Sequence, residues 1–390
     1  MKLRTFNRLT PILLALSLLI TFAPVQAFEA LAEIAGSRIE YQRSSEPLNE
    51  PSGNLAIVAP DGRHITILNI ASRKTGVIRT VHRIKGKVVV SADGHYIYAL
   101  SDNGWVSKID MAFAQLVAKV RVGQKSTNLA ISANGKWLLA GNQKPHTLVV
   151  LDSKDLRPFK IIAVSEGKGK SSAVRAVYAS PARQAFIVAL QDFPQIWELS
   201  WDPDAAPVYG SFVHSFRVGQ VEGVVVEDQP FARRRLDLKI NLHDLILDPA
   251  GAEVIGRVRG SANSAVYNLD ARRKVADLKF KGTPHFGAGQ IWEIDERVLL
   301  AVPHLDQAMV TIIDMETWKT VEQIKTAGPG FFLPDDKTAP TLRFKILSGP
   351  EMNTIQMIGK RSLKITGINP PSAGIPEALP MVDGLIIHAD

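Results

Sequence analysis

From Asn54 onward, apolar residues recur in short alternating runs separated by turn residues, the period-two pattern of half-buried strands. Leu55-Ala56-Ile57-Val58, Ile65-Thr66-Ile67-Leu68 and Trp137-Leu138-Leu139-Ala140 are examples. Between such runs stand Asp61-Gly62, Asp93-Gly94 and Asn134-Gly135. These dipeptides favour hairpin turns because glycine accepts the left-handed backbone that tight turns need. The runs also group into a longer beat, most groups closing on an apolar residue and then Asn or Asp. The closing positions 69, 110 and 152, and then 270, 314 and 359, lie 41 to 45 residues apart. Between 152 and 270 a weaker unit spans 173–202, with Trp197-Glu198-Leu199 as its third run. A charge-rich insertion without clear alternation follows around 203–240.

Repeats of this length, each of three or four short strands, predict an all-β protein of the β-propeller class. A blade cannot bury both faces alone, so blades stack in a ring and support their neighbours. Seven units are legible between 54 and 369. Pro370 to Asp390 do not supply a full eighth, so the last blade reads as incomplete. The run Gly384-Leu385-Ile386-Ile387-His388 is expected to pair with N-terminal residues and close the ring. Helical patterning after the first residues is confined to a short segment at 28–36.

The first 27 residues differ from the rest. Lys2, Arg4 and Arg8 precede an apolar core, Ile12 to Phe22, and a small-residue end at Val25-Gln26-Ala27. This predicts a secretory signal peptide over 1–27, an N-terminal segment over 28–53 and a propeller over 54–390. No later apolar run approaches the roughly 20 residues needed to span a bilayer, so the mature chain is expected to have no membrane span. The chain has no cysteine. That excludes a lipid-anchored N-terminus, covalent c-type haem and Fe–S clusters. Together these features predict export to the periplasm. Net charge is +8, and loss of the first 27 residues leaves 43 basic against 38 acidic side chains. This mild excess favours a small anionic ligand and gives no sign of a nucleic-acid partner. The clusters Arg233-Arg234-Arg235 and Lys168/Lys170 read as solvated loops.

Candidate chemistry concentrates between 282 and 314. Two Pro-His pairs, Pro284-His285 and Pro303-His304, flank short apolar runs, and proline places each histidine at a strand end. Gly282, Gly287 and Gly289 leave little bulk beside His285, which suits close approach of a ligand to the backbone. His285 and His304 are therefore candidates for a channel-facing site. Neutral imidazoles ligate iron, bind anions or exchange protons near neutral pH. His243, in Leu242-His243-Asp244, is a third candidate. Its alternative reading is ordinary turn chemistry.

Three segments carry a family resemblance: Asn241-Leu242-His243-Asp244, then Gly282-Thr283-Pro284-His285 with Gly287-Ala288-Gly289, then Pro303-His304-Leu305. They resemble the haem d1 propeller domain of cytochrome cd1 nitrite reductase and its haem d1 biosynthesis branch, the NirF-like proteins. Gly328-Pro329-Gly330-Phe331-Phe332, Gly349-Pro350 and Lys360-Arg361-Ser362-Leu363 are similar to that branch too. The resemblance implies an eight-bladed propeller holding haem d1, or a precursor, non-covalently in a central funnel. It implies His285 and His304 as acid/base residues on the distal face of the tetrapyrrole. His243 and Asp244 would then lie at the funnel rim, with Gly287 and Gly289 beside the ligand. Expected partners are the tetrapyrrole and other haem d1 assembly proteins or the nitrite reductase.

The sequence also departs from that pattern. Where the family carries its iron-ligating histidine, this chain has Ile84-Lys85-Gly86, and the nearest histidine is His82. His82 as metal ligand and Lys85 as tetrapyrrole contact are the replacements this suggests. Ser101-Asp102-Asn103 stands where an arginine would pair with a tetrapyrrole carboxylate, and Leu333-Pro334-Asp335-Asp336 stands where a further histidine would follow. Two expectations result. One is a protein of haem d1 biosynthesis, acting on a bound tetrapyrrole. The other is a non-catalytic carrier or scaffold that has lost part of the site.

Overall fold

The computed structural model describes residues 39–40, 54–369 and 386–388, apart from gaps at 60, 70–71, 73, 81, 168, 214–222, 259–260, 262 and 334–337. The expected signal peptide and nearly all of the 28–53 segment lie outside the described residues. The described chain is almost entirely strand, with one 3-10 turn at Phe286–Ala288. No described helix is long and apolar enough to cross a membrane.

The strands form seven antiparallel sheets of four or more strands among the described residues, together with two small hairpins. Each large sheet is a propeller blade, and the seven coincide with the seven units read from the sequence. From the second blade on, the chain runs outward from an inner strand, and six of these inner strands are consecutive along the ring. They are Ile84–Val90, Lys125–Ile131, Val174–Ser180, Leu242–Leu247, Gln290–Ile294 and Gly330–Phe332. The first blade is composite. Asn54–Val58, His64–Asn69 and Thr75–Arg79 take their inner neighbour from the far end of the chain, Ile386–His388, with Ala56 opposite Ile387. The expected closing strand thus completes the first blade.

The recurring Asn or Asp at the end of each third strand has a local cause. Asp110 Oδ1 accepts from the backbone N–H groups of Ala112 and Phe113, and Asp314 Oδ1 from those of Glu316 and Thr317. Asn268 Oδ1 does the same for Asp270 and Ala271. The side chain starts the turn to the outer strand by satisfying N–H groups that the sheet no longer pairs. Four residues later the chain turns left-handed, at Ala114, Arg272 and Trp318 with φ of 48°, 51° and 56°. The recurring beat is this turn, repeated; in the fifth blade the cap is Asn268, two residues before the Asp270 read from the sequence.

Six buried apolar clusters fill the seams from the first blade to the seventh. Between the third and fourth blades, Phe186, Trp197 and Phe231 are fully buried. Each such side chain contributes about 1.5–3 kcal/mol by leaving water. Phe231 belongs to the 203–240 insertion, and here the structure corrects the sequence reading. Arg233–Asp237 is no solvated loop but the outer strand of the fourth blade, paired with Gln195–Ser200. Arg233 forms a two-point ion pair with Glu227, and Arg233 and Arg235 lie over the Trp197 ring. The run shows no alternation because arginine stems cover apolar surface while their heads stay wet.

Candidate functional site

In an antiparallel blade, the start of the inner strand and the turn joining the second strand to the third lie at the same end. Every candidate residue falls there. His82 immediately precedes the second blade's inner strand, and Lys85 is the second residue of that strand. His243 and Asp244 open the inner strand of the fifth blade. His285, Gly287 and Gly289 precede that of the sixth, and His304 sits in the sixth blade's second-to-third turn. Blades two and five are three steps apart in the ring, which places His82 and the His243–His285 group on different sides of its mouth.

The sixth-blade histidines are brought together by backbone. Pro284 and His304 form an isolated antiparallel bridge, the His285 N–H donates to the Pro303 carbonyl, and the Leu305 N–H donates to the Thr283 carbonyl. Asp306 clamps the same corner by accepting from the Thr283 N–H and hydroxyl at 2.7 and 2.9 Å. The rings nevertheless diverge. His304 is fully buried, its Nε2 lies 2.9 Å from the Thr311 hydroxyl, and Phe280 packs edge-on against it. Burial pushes its pKa below the usual histidine value, against opposing effects of Asp306 and the Lys281 backbone. The side chain of His285 is 38% exposed. The expectation that both rings face the channel therefore does not describe this conformation; only His285 reaches the open end.

Asp244 organises that end. The strand pairing shifts between His243 and Leu245, and Asp244 occupies the bulge with φ of 52°. This turns its carboxylate out of the sheet and onto the neighbouring blade. Oδ1 accepts from His285 Nδ1 at 2.8 Å and the Gly287 N–H at 2.9 Å, while Oδ2 accepts from the Phe286 N–H at 2.7 Å. Burial alone would raise the pKa of this carboxyl. The hydrogen bond and charge of His285, with the two backbone donors, outweigh burial and hold it below the usual value. Gly287 must lack a side chain, since a Cβ there would lie 2.9 Å from Asp244 Oδ1. Gly289 meets Leu300 and two carbonyls of its own blade, so its role is packing.

His243, one residue before Asp244, turns to the other side. Its Nδ1 lies 2.7 Å from a guanidinium nitrogen of Arg175 on the fourth blade's inner strand. Tyr178, from the same strand, donates its hydroxyl to the Leu245 carbonyl at 2.6 Å, and burial first, then the Asp244 charge, raises its pKa. Sequence reading missed Arg175, Tyr178 and Thr311. Arg175 stands 68 residues from His243, in the weakest repeat, and no local signal joins them.

Across the mouth, His82 stacks on Trp105 at 5.2 Å with near-parallel planes, and Asn103 Nδ2 lies 3.0 Å from its Nδ1. Burial, then Lys119 and Arg121, lowers its pKa, against Asp102. The Lys85 side chain lies outside the described residues.

Comparison with known proteins supplies the family. The Cytochrome D1 heme domain matches residues 51–217 and 213–383. The chain belongs to this family. It is 32% identical over 324 residues to the Dihydro-heme d1 dehydrogenase of Pseudomonas aeruginosa, covering 82% of this chain and 61% of that protein. The chain thus spans about three fifths of that relative's length. Protein NirF of the same organism is 23% identical over 307 residues, covering 74% of this chain and 70% of NirF. Among solved structures, Dihydro-heme d1 dehydrogenase NirN in complex with DHE superposes with a TM-score of 0.76 at 29% identity, over 88% of this chain and 70% of that one. The haem d1 propeller resemblance read from the Pro-His and His-Asp segments is borne out. So is the β-propeller fold.

Proposed function

We propose that this chain binds haem d1 or a late precursor of it, non-covalently, at the histidine-bearing mouth of the propeller. We further propose that it serves haem d1 biosynthesis for nitrite reductase in the periplasm. Homology to NirN and NirF supports the ligand class. The observation that carries the site is Asp244, which orients a half-exposed His285 against a bare glycine backbone while its neighbour His243 is held from the other side. The residues fit such a group. The half-exposed imidazole of His285 beside the Gly287 backbone is a surface that a flat ring with polar side chains can meet. When bound, the tetrapyrrole supplies iron and a conjugated ring able to take up or release electrons. The protein's part is to orient the ring, exclude water and move protons at His285. His304, buried behind that face, fixes the corner through Thr311.

Titrating the purified protein with haem d1 tests this reading. The expected result is a saturable shift of the visible spectrum, altered by His285→Ala. No spectral change on titration overturns it.

A specific observation favours the carrier as the second reading. With the Asn103 amide nitrogen facing Nδ1, His82 holds its proton on Nε2 and offers no lone pair to iron in that tautomer. A carrier would bind and release dihydro-haem d1 unchanged in the presence of an electron acceptor, whereas an enzyme would convert it.

A further inference from the structure

We infer that Arg175 and Asp244 lock the two rim histidines into opposite tautomers, the proton of neutral His243 on Nε2 and that of neutral His285 on Nδ1, which leaves His285 as the proton acceptor of the open end. Arg175 is thus a positioning residue of the site. The inference rests on the proposed function only in naming what the pair would act on.

The donors and acceptors around each ring fix its tautomer. A guanidinium has five N–H donors and no acceptor. At 2.7 Å from Arg175, His243 Nδ1 must therefore accept, and a neutral His243 carries its proton on Nε2. An ionised carboxylate has acceptors and no donor. Asp244 is held ionised, its pKa lowered by its hydrogen-bond partners against burial. At 2.8 Å from its Oδ1, His285 Nδ1 must donate, and a neutral His285 presents a lone pair on Nε2. Each controlling contact comes from the preceding blade, the fourth for His243 on the fifth and the fifth for His285 on the sixth. The bulge at Asp244 is what turns consecutive side chains to the two sides.

The Arg175 backbone and the Asp244 carboxylate are both anchored. Arg175 sits on the inner strand Val174–Ser180, and its own backbone carbonyl accepts from Asn128 Nδ2 of the third blade at 3.0 Å. Asp244 is fixed by two backbone N–H groups besides the imidazole. His285 Nε2 therefore offers a base at the open end, whereas His243 Nε2 is buried and keeps its proton inside the rim.

The tautomers are readable without any ligand. Long-range 1H–15N correlation spectra of the full chain, labelled on histidine and recorded at mildly alkaline pH where histidines are neutral, distinguish the Nε2–H from the Nδ1–H form. His243→Gln and His285→Gln assign the two rings. The expected result is an Nε2–H pattern for His243 and an Nδ1–H pattern for His285. In Arg175→Met the two His243 nitrogen resonances should shift toward each other as the tautomers mix, with His285 unmoved. Arg175→Lys, which keeps a donor, should restore the wild-type pattern. Like tautomers in the wild-type spectrum overturn the inference, and so does a His243 pattern unmoved in Arg175→Met. If that variant does not fold, the wild-type spectrum alone decides. Opposite tautomers in a protein that fails to bind haem d1 would refute the proposed function and leave this inference standing.

Discussion

Replacing Asp244 by alanine tests the centre of the site through stability alone. The side chain is 12% exposed and accepts three hydrogen bonds, from His285, Phe286 and Gly287. In Asp244→Ala the exposed Gly287 N–H and the half-exposed imidazole turn to water, so each loses only a net bond of about 1 kcal/mol. The N–H of Phe286, a residue with no exposure, is left without an acceptor at about 1–3 kcal/mol. Relief of the buried charge offsets part of this, so the loss expected near neutral pH is about 2–3 kcal/mol. Its pH dependence carries a sign. The folded pKa lies below the ordinary value of 3.8, so the carboxylate's contribution is complete above that value and is lost as the pH falls through the folded pKa. Urea unfolding of both proteins across acidic pH should show a constant gap down to about pH 5, closing only below the ordinary carboxylate range. A gap under about 0.5 kcal/mol, or one already closed near pH 5, would refute the reasoning.

Other perturbations read other parts of the structure. His304 and His82 both have lowered pKa values, so each makes the fold lose stability as the pH drops below about 6.5. His304→Gln should flatten that slope in part, and an unchanged slope would show that the ring is not buried as described. Thr311→Val removes the partner of a fully buried imidazole nitrogen and should cost about 1–3 kcal/mol in chemical denaturation. Gly330→Ala would set a Cβ 2.1 Å from the Lys345 carbonyl and 2.8 Å from the Phe344 ring, and is expected to lower the thermal midpoint more than Gly287→Ala. Deleting residues from 386 onward strips the first blade of its inner strand, exposing the Asn54–Val58 edge. A melting temperature unchanged by that deletion would rule out closure through this strand.

The sequence by itself determined the repeat and therefore the fold. Alternation, hairpin dipeptides and an Asn or Asp capping most third strands are local signals, because a strand's side-chain period and a turn's hydrogen bonds are set within a few residues. It also brought out the histidines, since the Pro-His pairs and the His-Asp step mark strand ends. The tertiary structure decided what those residues do. Whether His285 or His304 reaches the open end depends on which ring packs under Phe280 and Thr311, and both follow a Pro in sequence. The bulge that turns Asp244 onto the next blade has no dipeptide signature. Arg175 reaches His243 only because neighbouring inner strands lie side by side, and nothing within one repeat encodes a contact between two of them. The outer strand Arg233–Asp237 was hidden for a related reason, since its arginines are held by Trp197 and Glu227 rather than by alternation. Local chemistry thus fixed where a site stands on the ring, and the packing of blade against blade fixed which atoms face it.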